Sequence, residues 1–408
     1  MGRRWGQMRS SSRTFQTMQL RLAFRQELFN RFEMTKVLHI VKKWSRGGVE
    51  KFVESLVTYC SSHEIESSVV SVDSAINIDL GCEQAGPLLN GSRYLEWKRV
   101  RKELTDFFSA DSYDIVHIHT NNGLGFLYAH AARKAGIPRR IIHSHNSNFG
   151  SDFRLAKDVA TRLLRLSYRH DATDFWACSQ EAGAHLFPGD TFQVVRNGID
   201  TKKYRFDESR RNETRALLGF SQRECIMGFA ASLIPAKNIK KAFDVFRAAH
   251  FKNPCARFLV LGDGEQMDLL RYMSECAGLE REVVCLGYTN EVEKYYDAMD
   301  VLLAPSLFEG LPLNLVEAQA SGLPVLASDA ITEEVCIGGS PLVRIPLSVS
   351  DEDWASYALR LIAKGSDGRH AAFEAIDQAG FDAESSFAAV EQSYLNGAKL
   401  AEQRSKSK

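Results

Sequence analysis

The chain has 408 residues, 44% hydrophobic and 25% charged, with 51 Lys and Arg against 51 Asp and Glu. That length is too great for one core and predicts two domains, with room for a third. Zero net charge gives no electrostatic reason to expect a nucleic-acid partner. No apolar run is long enough to span a bilayer. The eight cysteines form no Cys-x-x-Cys and no close Cys/His set, a pattern of reduced thiols in a cytoplasmic protein rather than a disulfide frame or zinc site.

Residues 1–33 carry Arg3, Arg4, Arg9, Arg13, Arg21, Arg25 and Arg31 against Glu27 and Glu33, without the apolar centre of a signal peptide. One reading is a basic extension, disordered or not native, with folding beginning near Met34. The other is an amphipathic segment, Met18–Phe32, lying on anionic lipid as a peripheral membrane contact at the inner face.

From Lys36 onward, short apolar runs alternate with longer helical patterns, which predicts strand–helix units on parallel sheets. The first series has strands at Lys36–Val41, Ser68–Val72, Asp114–Ile118, Arg140–Ser144, Phe175–Cys178 and Gln193–Val195. Its helices are Val49–Cys60, Arg93–Phe108, Gly125–Ala135 and Leu155–His170. Arg46-Gly47-Gly48-Val49-Glu50 joins the first strand to the first helix. Glycines there let backbone N–H groups approach a ligand, and the helix dipole behind them favours phosphate. A tight turn with no ligand accounts for them equally well. His143-Ser144-His145-Asn146 closes a strand, where a histidine titrating near neutrality can donate to a hydroxyl or a leaving group. His117 and His119, at another strand end, are expected to face the same crevice; structural histidines are the competing reading.

After Arg196-Asn197-Gly198-Ile199-Asp200 comes a charged, non-periodic segment, Thr201–Arg215, read as the connection between domains. A second series follows, with strands Cys225–Ala230, Arg257–Gly262, Glu282–Leu286, Val301–Ala304 and Pro324–Ala327. Its helices include Asn238–Phe251, Gln266–Cys276 and Pro312–Ser321. Lys237, between a strand and a helix, suits a diphosphate as a compact point charge. Lys240 and Lys241 share the next helix face, which reads equally as a solvated basic surface. Gly262-Asp263-Gly264-Glu265 reads as a turn without chemistry. Between Phe308 and Ala318, Glu309 falls on a loop, Pro312 on the first turn of a helix and Glu317 within it. Loop amides and a helix N-terminus then face one small volume that favours an anion. A carboxylate at its edge can grip sugar hydroxyls and a second can grip a ribose; an exposed Glu before a helix cap is the plainer account. The last helical stretch, Glu384–Leu400, is placed to cross back onto the first domain.

Together these segments resemble the family-four retaining glycosyltransferases, of the glycosyltransferase-B fold. The strongest likeness is Ala298–Asp329, with its Glu-x7-Glu pair at Glu309 and Glu317. Gly-Gly-Val-Glu at 47–50, Ile-His-Ser-His-Asn at 142–146, Arg-Asn-Gly-Ile-Asp at 196–200 and Ala-Lys-Asn at 236–238 follow the family's order. The histidine stretch is most similar to the subgroup that builds capsular and other exported polysaccharides.

The resemblance implies an α/β fold of two doubly wound, Rossmann-like domains facing across a cleft. They would be an acceptor-side domain at 34–205 and a nucleotide-sugar domain at 216–380, with a crossover helix and basic tail at 381–408. It implies metal-independent, cofactor-free transfer of a hexose, with retention, from a nucleotide sugar donor to a hydroxyl of a glycan or lipid-linked glycan. Glu309, His145 and Lys237 are the implied catalytic residues. Glu309 would hold donor-sugar hydroxyls, His145 would lie by the sugar, and Lys237 would neutralise the diphosphate. Gly47, Gly48, Gly310, Leu311, Pro312, Leu313, Asn314 and Glu317 would complete the donor site, with Glu317 on the ribose. One departure stands out: Ala231-Ser232 occupies the place of the family's Gly-Arg. Losing a charge-assisted contact to phosphate costs roughly 1.5–3 kcal/mol, for which Arg46, Lys240 or Lys241 would have to compensate. The alternatives are an epimerase or phosphorylase on the same plan, or a degenerate, non-catalytic nucleotide-sugar-binding subunit.

Overall fold

Val37, Leu38, Ile40 and Val41 are all fully buried. A strand hidden on both faces belongs inside a parallel sheet covered by helices. The computed structural model describes residues 34–44, 47–88, 97–145, 154–338, 340–365 and 368–406. The expectations for residues 1–33, for Arg46, for Asn146 and for the first turn of the helix at Arg93 lie outside those residues.

The first sheet contains β1 (Thr35–Val41), β2 (Ile65–Ser71), β3 (Glu83–Ala85), β4 (Ile115–Thr120), β5 (Arg139–Ser144), β6 (Asp174–Ala177) and β7 (Gln193–Val194). Helices α1 (Gly48–Cys60), α2 (Trp97–Phe108), α3 (Leu124–Lys134), α4 (Arg154–Tyr168) and α5 (Gln180–Leu186) connect them. The chain then forms α6 (Glu208–Leu217) and a second sheet of β8 (Cys225–Ala230), β9 (Ala256–Leu261), β10 (Val283–Gly287), β11 (Val301–Ala304), β12 (Val325–Ser328) and β13 (Leu342–Ile345). Around it lie α7 (Ile239–Lys252), α8 (Met267–Ala277), α9 (Val292–Ala298), α10 (Leu313–Ala320), α11 (Asp351–Ile362) and α12 (Ala372–Ile376). The strand orders are 3-2-1-4-5-6-7 and 10-9-8-11-12-13, and every ladder within them is parallel. Order reverses between β1 and β4 and between β8 and β11, so each sheet opens a crevice beyond the carboxyl ends of those strands.

The final helix, α13 (Ala383–Lys406), crosses back onto the first sheet as expected. Phe387, Val390 and Tyr394 pack with Val37, Phe52 and Trp176, and Arg139 on β5 donates to the Ser393 carbonyl. The two interdomain strands of chain meet where Ile199 N–H donates to Phe381 O (2.8 Å) and Ala383 N–H to Ile199 O (2.9 Å). A Cβ at Gly198 would stand 2.5 Å from Ala383 Cα, so this crossing explains the glycine of the 196–200 segment.

The observed strands fall within three residues of their expected limits; β3 and β13 are short additions at the sheet edges. The segment Thr201–Arg215 needs correction. Its second half is α6, fastened to the second domain rather than a free connection. Arg211 Nη1 donates to the carbonyls of Asp297 (2.7 Å) and Met299 (3.0 Å), and Arg211 and Arg215 each pair with Asp300. A helix that buries arginines shows no apolar periodicity.

Candidate active site

The carboxyl end of β11 runs into Pro305–Pro312, and that loop is sewn to the one ahead of α7. Leu307 N–H donates to Ala236 O (2.8 Å), and Asn238 Nδ2 donates to Pro305 O (3.1 Å). Asn238 adopts a left-handed backbone (φ 57°) and caps α7 by accepting from Lys241 N–H. Asparagine tolerates both demands. The outcome is that Lys237 Nζ meets Glu309 Oε1, while Ser306 Oγ donates to the same oxygen at 2.9 Å. Asn238→Ala should therefore cost about 2–3 kcal/mol, combining a lost cap with left-handed strain. The urea midpoint of the variant checks this; a change below roughly 0.5 kcal/mol would show that the loop pairing carries no stability.

The helix after this loop starts one residue later than expected. Pro312 is its cap, at φ −74° and ψ 105°, and Leu313 its first residue. Gly310, Leu311 and Pro312 are buried, with the Leu311 side chain in the core, while Leu313 and Asn314 are half-buried. Asn314 Nδ2 donates to Ala230 O (2.8 Å), tying the start of α10 to the end of β8. Ala231 and Ser232 come next along the chain. Gly262 presses against Ala231 O with φ +121°, where a Cβ would collide, so the 262–265 turn shapes that backbone.

Glu317 is only 4% exposed, yet it is fully provided with donors. Tyr204 Oη reaches its Oε1 at 2.8 Å and Tyr296 Oη its Oε2 at 3.1 Å. Burial, then the carboxylate's charge, pushes both phenols' pKa upward, so they stay protonated donors. Lys51 Nζ completes the set on Oε1, reaching from α1 of the first domain. Lys51, Tyr204, Tyr296 and Ser306 were not anticipated. A lysine within a helix and tyrosines far apart in sequence carry no local signal of their meeting.

From the first domain, Gly47 caps α1, and its N–H donates to Glu50 Oε2 at 3.1 Å. A Cβ at Gly48 would meet nothing within 4 Å, so packing does not require a glycine there. Lys240 and Lys241, the cations expected to compensate at Ser232, are each paired with a carboxylate. Lys240 pairs with Asp244 (2.6 Å), while Lys241 pairs with Asp351 (2.6 Å), donates to Val349 O and lies 5.6 Å from the Trp354 ring centre. Their charges are met by partners on α7 and at the start of α11.

The histidines are also corrected. His117 and His119 do not face a crevice; with His39 and His143 they are buried between the sheet and the helices covering it. The β1–β4–β5 register sets them side by side. His39 Nδ1 and His119 Nε2 share a hydrogen bond (3.2 Å), as do His119 Nδ1 and His145 Nε2 (2.9 Å). His117 bridges His143 (3.1 Å) and the Tyr394 hydroxyl. Phe52 lies across His119, His143 and His145. Desolvation lowers His145 to about 3, so it stays neutral instead of titrating near neutrality.

Residues 46–203 match the family described as Glycosyltransferase Family 4, and residues 210–337 match Glycosyl transferases group 1. A protein of Bacillus subtilis (strain 168) described as the glycosyltransferase EpsF is 32% identical over 370 residues, covering 87% of this chain and 95% of that one. An Escherichia coli UDP-Gal:alpha-D-GlcNAc-diphosphoundecaprenol alpha-1,3-galactosyltransferase is 27% identical over 278 residues, covering 62% and 71%. Anabaena HepE in complex with UDP superimposes with a TM-score of 0.72 at 18% identity, covering 89% of this chain and 100% of HepE, a likeness of fold. By sequence and by architecture the chain belongs to the family-four glycosyltransferases, built on the glycosyltransferase-B fold.

Proposed function

We propose that this glycosyltransferase moves a hexose from a uridine diphosphate sugar to a hydroxyl of a lipid-linked glycan, with retention and without metal or cofactor. The product would enter a capsular, exopolysaccharide or other cell-surface glycan at the inner face of the membrane. The observation that carries this is the Lys237–Glu309 pair, set at the β8/β11 switch point beside the start of α10. The donor and acceptor classes are drawn from the galactosyltransferase relative, which uses UDP-Gal and a diphosphoundecaprenol-linked sugar.

The barrier is departure of the diphosphate, with negative charge growing on it and positive charge on the sugar carbon. Lys237 and the α10 N-terminus supply fixed positive potential where the negative charge develops. A bound diphosphate would draw Lys237 from Glu309, leaving that carboxylate to the sugar hydroxyls. Glu317 would hold the ribose, whose hydroxyls take the place of Lys51, and Gly47 and Gly48 would approach the diphosphate from the facing domain. His145, neutral, would offer a hydrogen bond near the acceptor and no charge. The Asp-x-Asp sequence of the chain, Asp351-Glu352-Asp353, opens α11, where Asp351 pairs with Lys241, and in this reading Lys237 with the helix end would meet the diphosphate charge in place of a metal.

Ser232, in place of the usual Arg, favours a second reading as a nucleotide-sugar-binding subunit. A panel of nucleotide sugars separates the two. A true ligand at about 100 times its dissociation constant adds about 2.7 kcal/mol of stability. The transferase reading expects a stabilising UDP-hexose that is consumed only when a lipid-linked acceptor is added. It also expects the product to keep the donor's anomeric configuration and turnover to survive EDTA. Tight binding with no turnover under any acceptor would overturn it. An inverted product would overturn retention, and loss of turnover in EDTA would overturn metal independence.

A further inference from the structure

Glu317 has one partner that a bound donor would remove. Lys51 Nζ holds Glu317 Oε1 and lies 3.3 Å from Tyr204 Oη. It reaches across the cleft from the first turn of α1, where Lys51 N–H donates to the O of the cap residue Gly47 at 3.1 Å. The lysine side chain is half-exposed, whereas the Glu317 side chain is buried and has both tyrosine hydroxyls as further donors. The carboxylate is therefore the fixed partner and the ammonium the movable one.

In the proposed function, ribose hydroxyls take the place of Lys51 on Glu317, and the start of α1 faces the diphosphate. Displacement would leave an ammonium unpaired inside the cleft, a costly state unless another anion is within reach. A second contact ties the domains together when this bridge is lost: Gln180 N–H, on α5, donates to Glu334 Oε1 of the second domain at 2.8 Å. The anion that arrives with the ribose is the diphosphate. A lysine suits the exchange, because its flexible stem carries a compact charge with rotatable donors. Lys240 and Lys241 differ in this respect, since they hold Asp244 and Asp351, carboxylates that a donor on Glu309 and Glu317 would not claim.

We infer that Lys51 is a donor-binding residue that changes partner. It holds Glu317 until a ribose claims that carboxylate, then passes to the diphosphate. From the facing domain it supplies the cation that Ser232, in the place of the family's Arg, does not. The inference rests on the nucleotide-sugar reading and names the side chain that meets the diphosphate opposite Lys237.

Calorimetric titration of the full chain with UDP and with uridine tests this, since uridine brings the ribose without the phosphates. The parent is expected to prefer UDP. Lys51→Gln should bind uridine as well as the parent does or better, because Glu317 has lost a competitor. The same variant should lose about ten- to a hundredfold in UDP affinity, the worth of one charge-assisted hydrogen bond. Tyr204 and Tyr296 still donate to Glu317 in it, so the thermal midpoint should stay near the parent's. Ser232→Arg should then raise UDP affinity more in the Lys51→Gln background than in the parent, the non-additivity of two cations serving one diphosphate. Equal gains in uridine and UDP affinity would show that Lys51 only plugs the ribose site and would overturn the inference. So would unchanged UDP affinity in Lys51→Gln, or equal effects of Ser232→Arg in the two backgrounds. Those results fail the Lys51 inference alone if the parent still turns over a nucleotide sugar. A chain whose UDP binding responds as expected but that never turns one over fails only the transferase reading, and a parent that binds uridine and UDP equally overturns both.

Discussion

Replacing Glu309 by Gln is expected to lower kcat by about 100- to 1,000-fold, the range for removing one preorganised electrostatic contact to a transition state. The amide keeps the side chain's shape and can still accept from Ser306 Oγ, so the loop should hold its form. It loses the charge that, in the proposed function, faces the growing positive charge on the sugar carbon. UDP affinity should stay level or rise slightly, because Lys237 no longer has a carboxylate to leave when the diphosphate arrives. Steady-state kinetics beside a calorimetric titration of UDP checks both halves. A kcat within about twofold of the parent would remove Glu309 from the reacting centre, and a large loss of UDP affinity would move it from the sugar to the nucleotide.

The parts of this site that could be read from the sequence are those fixed by local chemistry. Glu309 and Glu317 share one turn and one helix, so their placement follows from Pro312 and the apolar run behind it. Lys237 likewise follows from a strand end and a helix cap. What stayed hidden depends on chain arriving from elsewhere. Lys51 meets Glu317 from 266 positions away, and nothing around Lys51 distinguishes it from a solvated helix face. The arginines of α6 read as a linker because their partners, Asp297 and Asp300, lie beyond three intervening strands. The histidines are the instructive case. Their two-residue spacing does put His117 and His119, and His143 and His145, on one side of the sheet. Whether that side faces a cleft or a core is decided by α13, which begins more than two hundred residues later and lays Tyr394 against His117 and Phe387 against Phe52.

That buried row leads to the second large effect, a loss of stability in mild acid. His39 and His145 are lowered to about 3 by desolvation, and His117, His119 and His143 are also lowered, by burial first and by neighbouring imidazoles next. The sign follows from linkage. Unfolded imidazoles take up protons below about pH 6.5 while the folded ones refuse them, so the unfolded state binds more protons and stability falls with pH. Stability is fully present above about pH 6.5 and drains away through the window down to about pH 3. Each histidine contributes about 1.4 kcal/mol per pH unit, so His39 and His145 together remove about 3 kcal/mol by about pH 5.5, and His117, His119 and His143 act in the same direction. That is already a large share of the stability of an ordinary domain, about 5–15 kcal/mol. Arg139 near His117 acts in the same direction. Asp297 opposes it: burial raises its carboxyl to about 6, a gain in acid for the second domain, where it pairs with Arg210. The first domain should therefore unfold first, at a pH where the second still holds. Fluorescence of Trp176, packed edge-on against His117, reports that transition. A urea midpoint that does not move between about pH 7.5 and pH 5.5 would show that the imidazoles are not held neutral. His39→Gln should lessen the pH slope by about one proton, because one fewer imidazole is freed to titrate on unfolding.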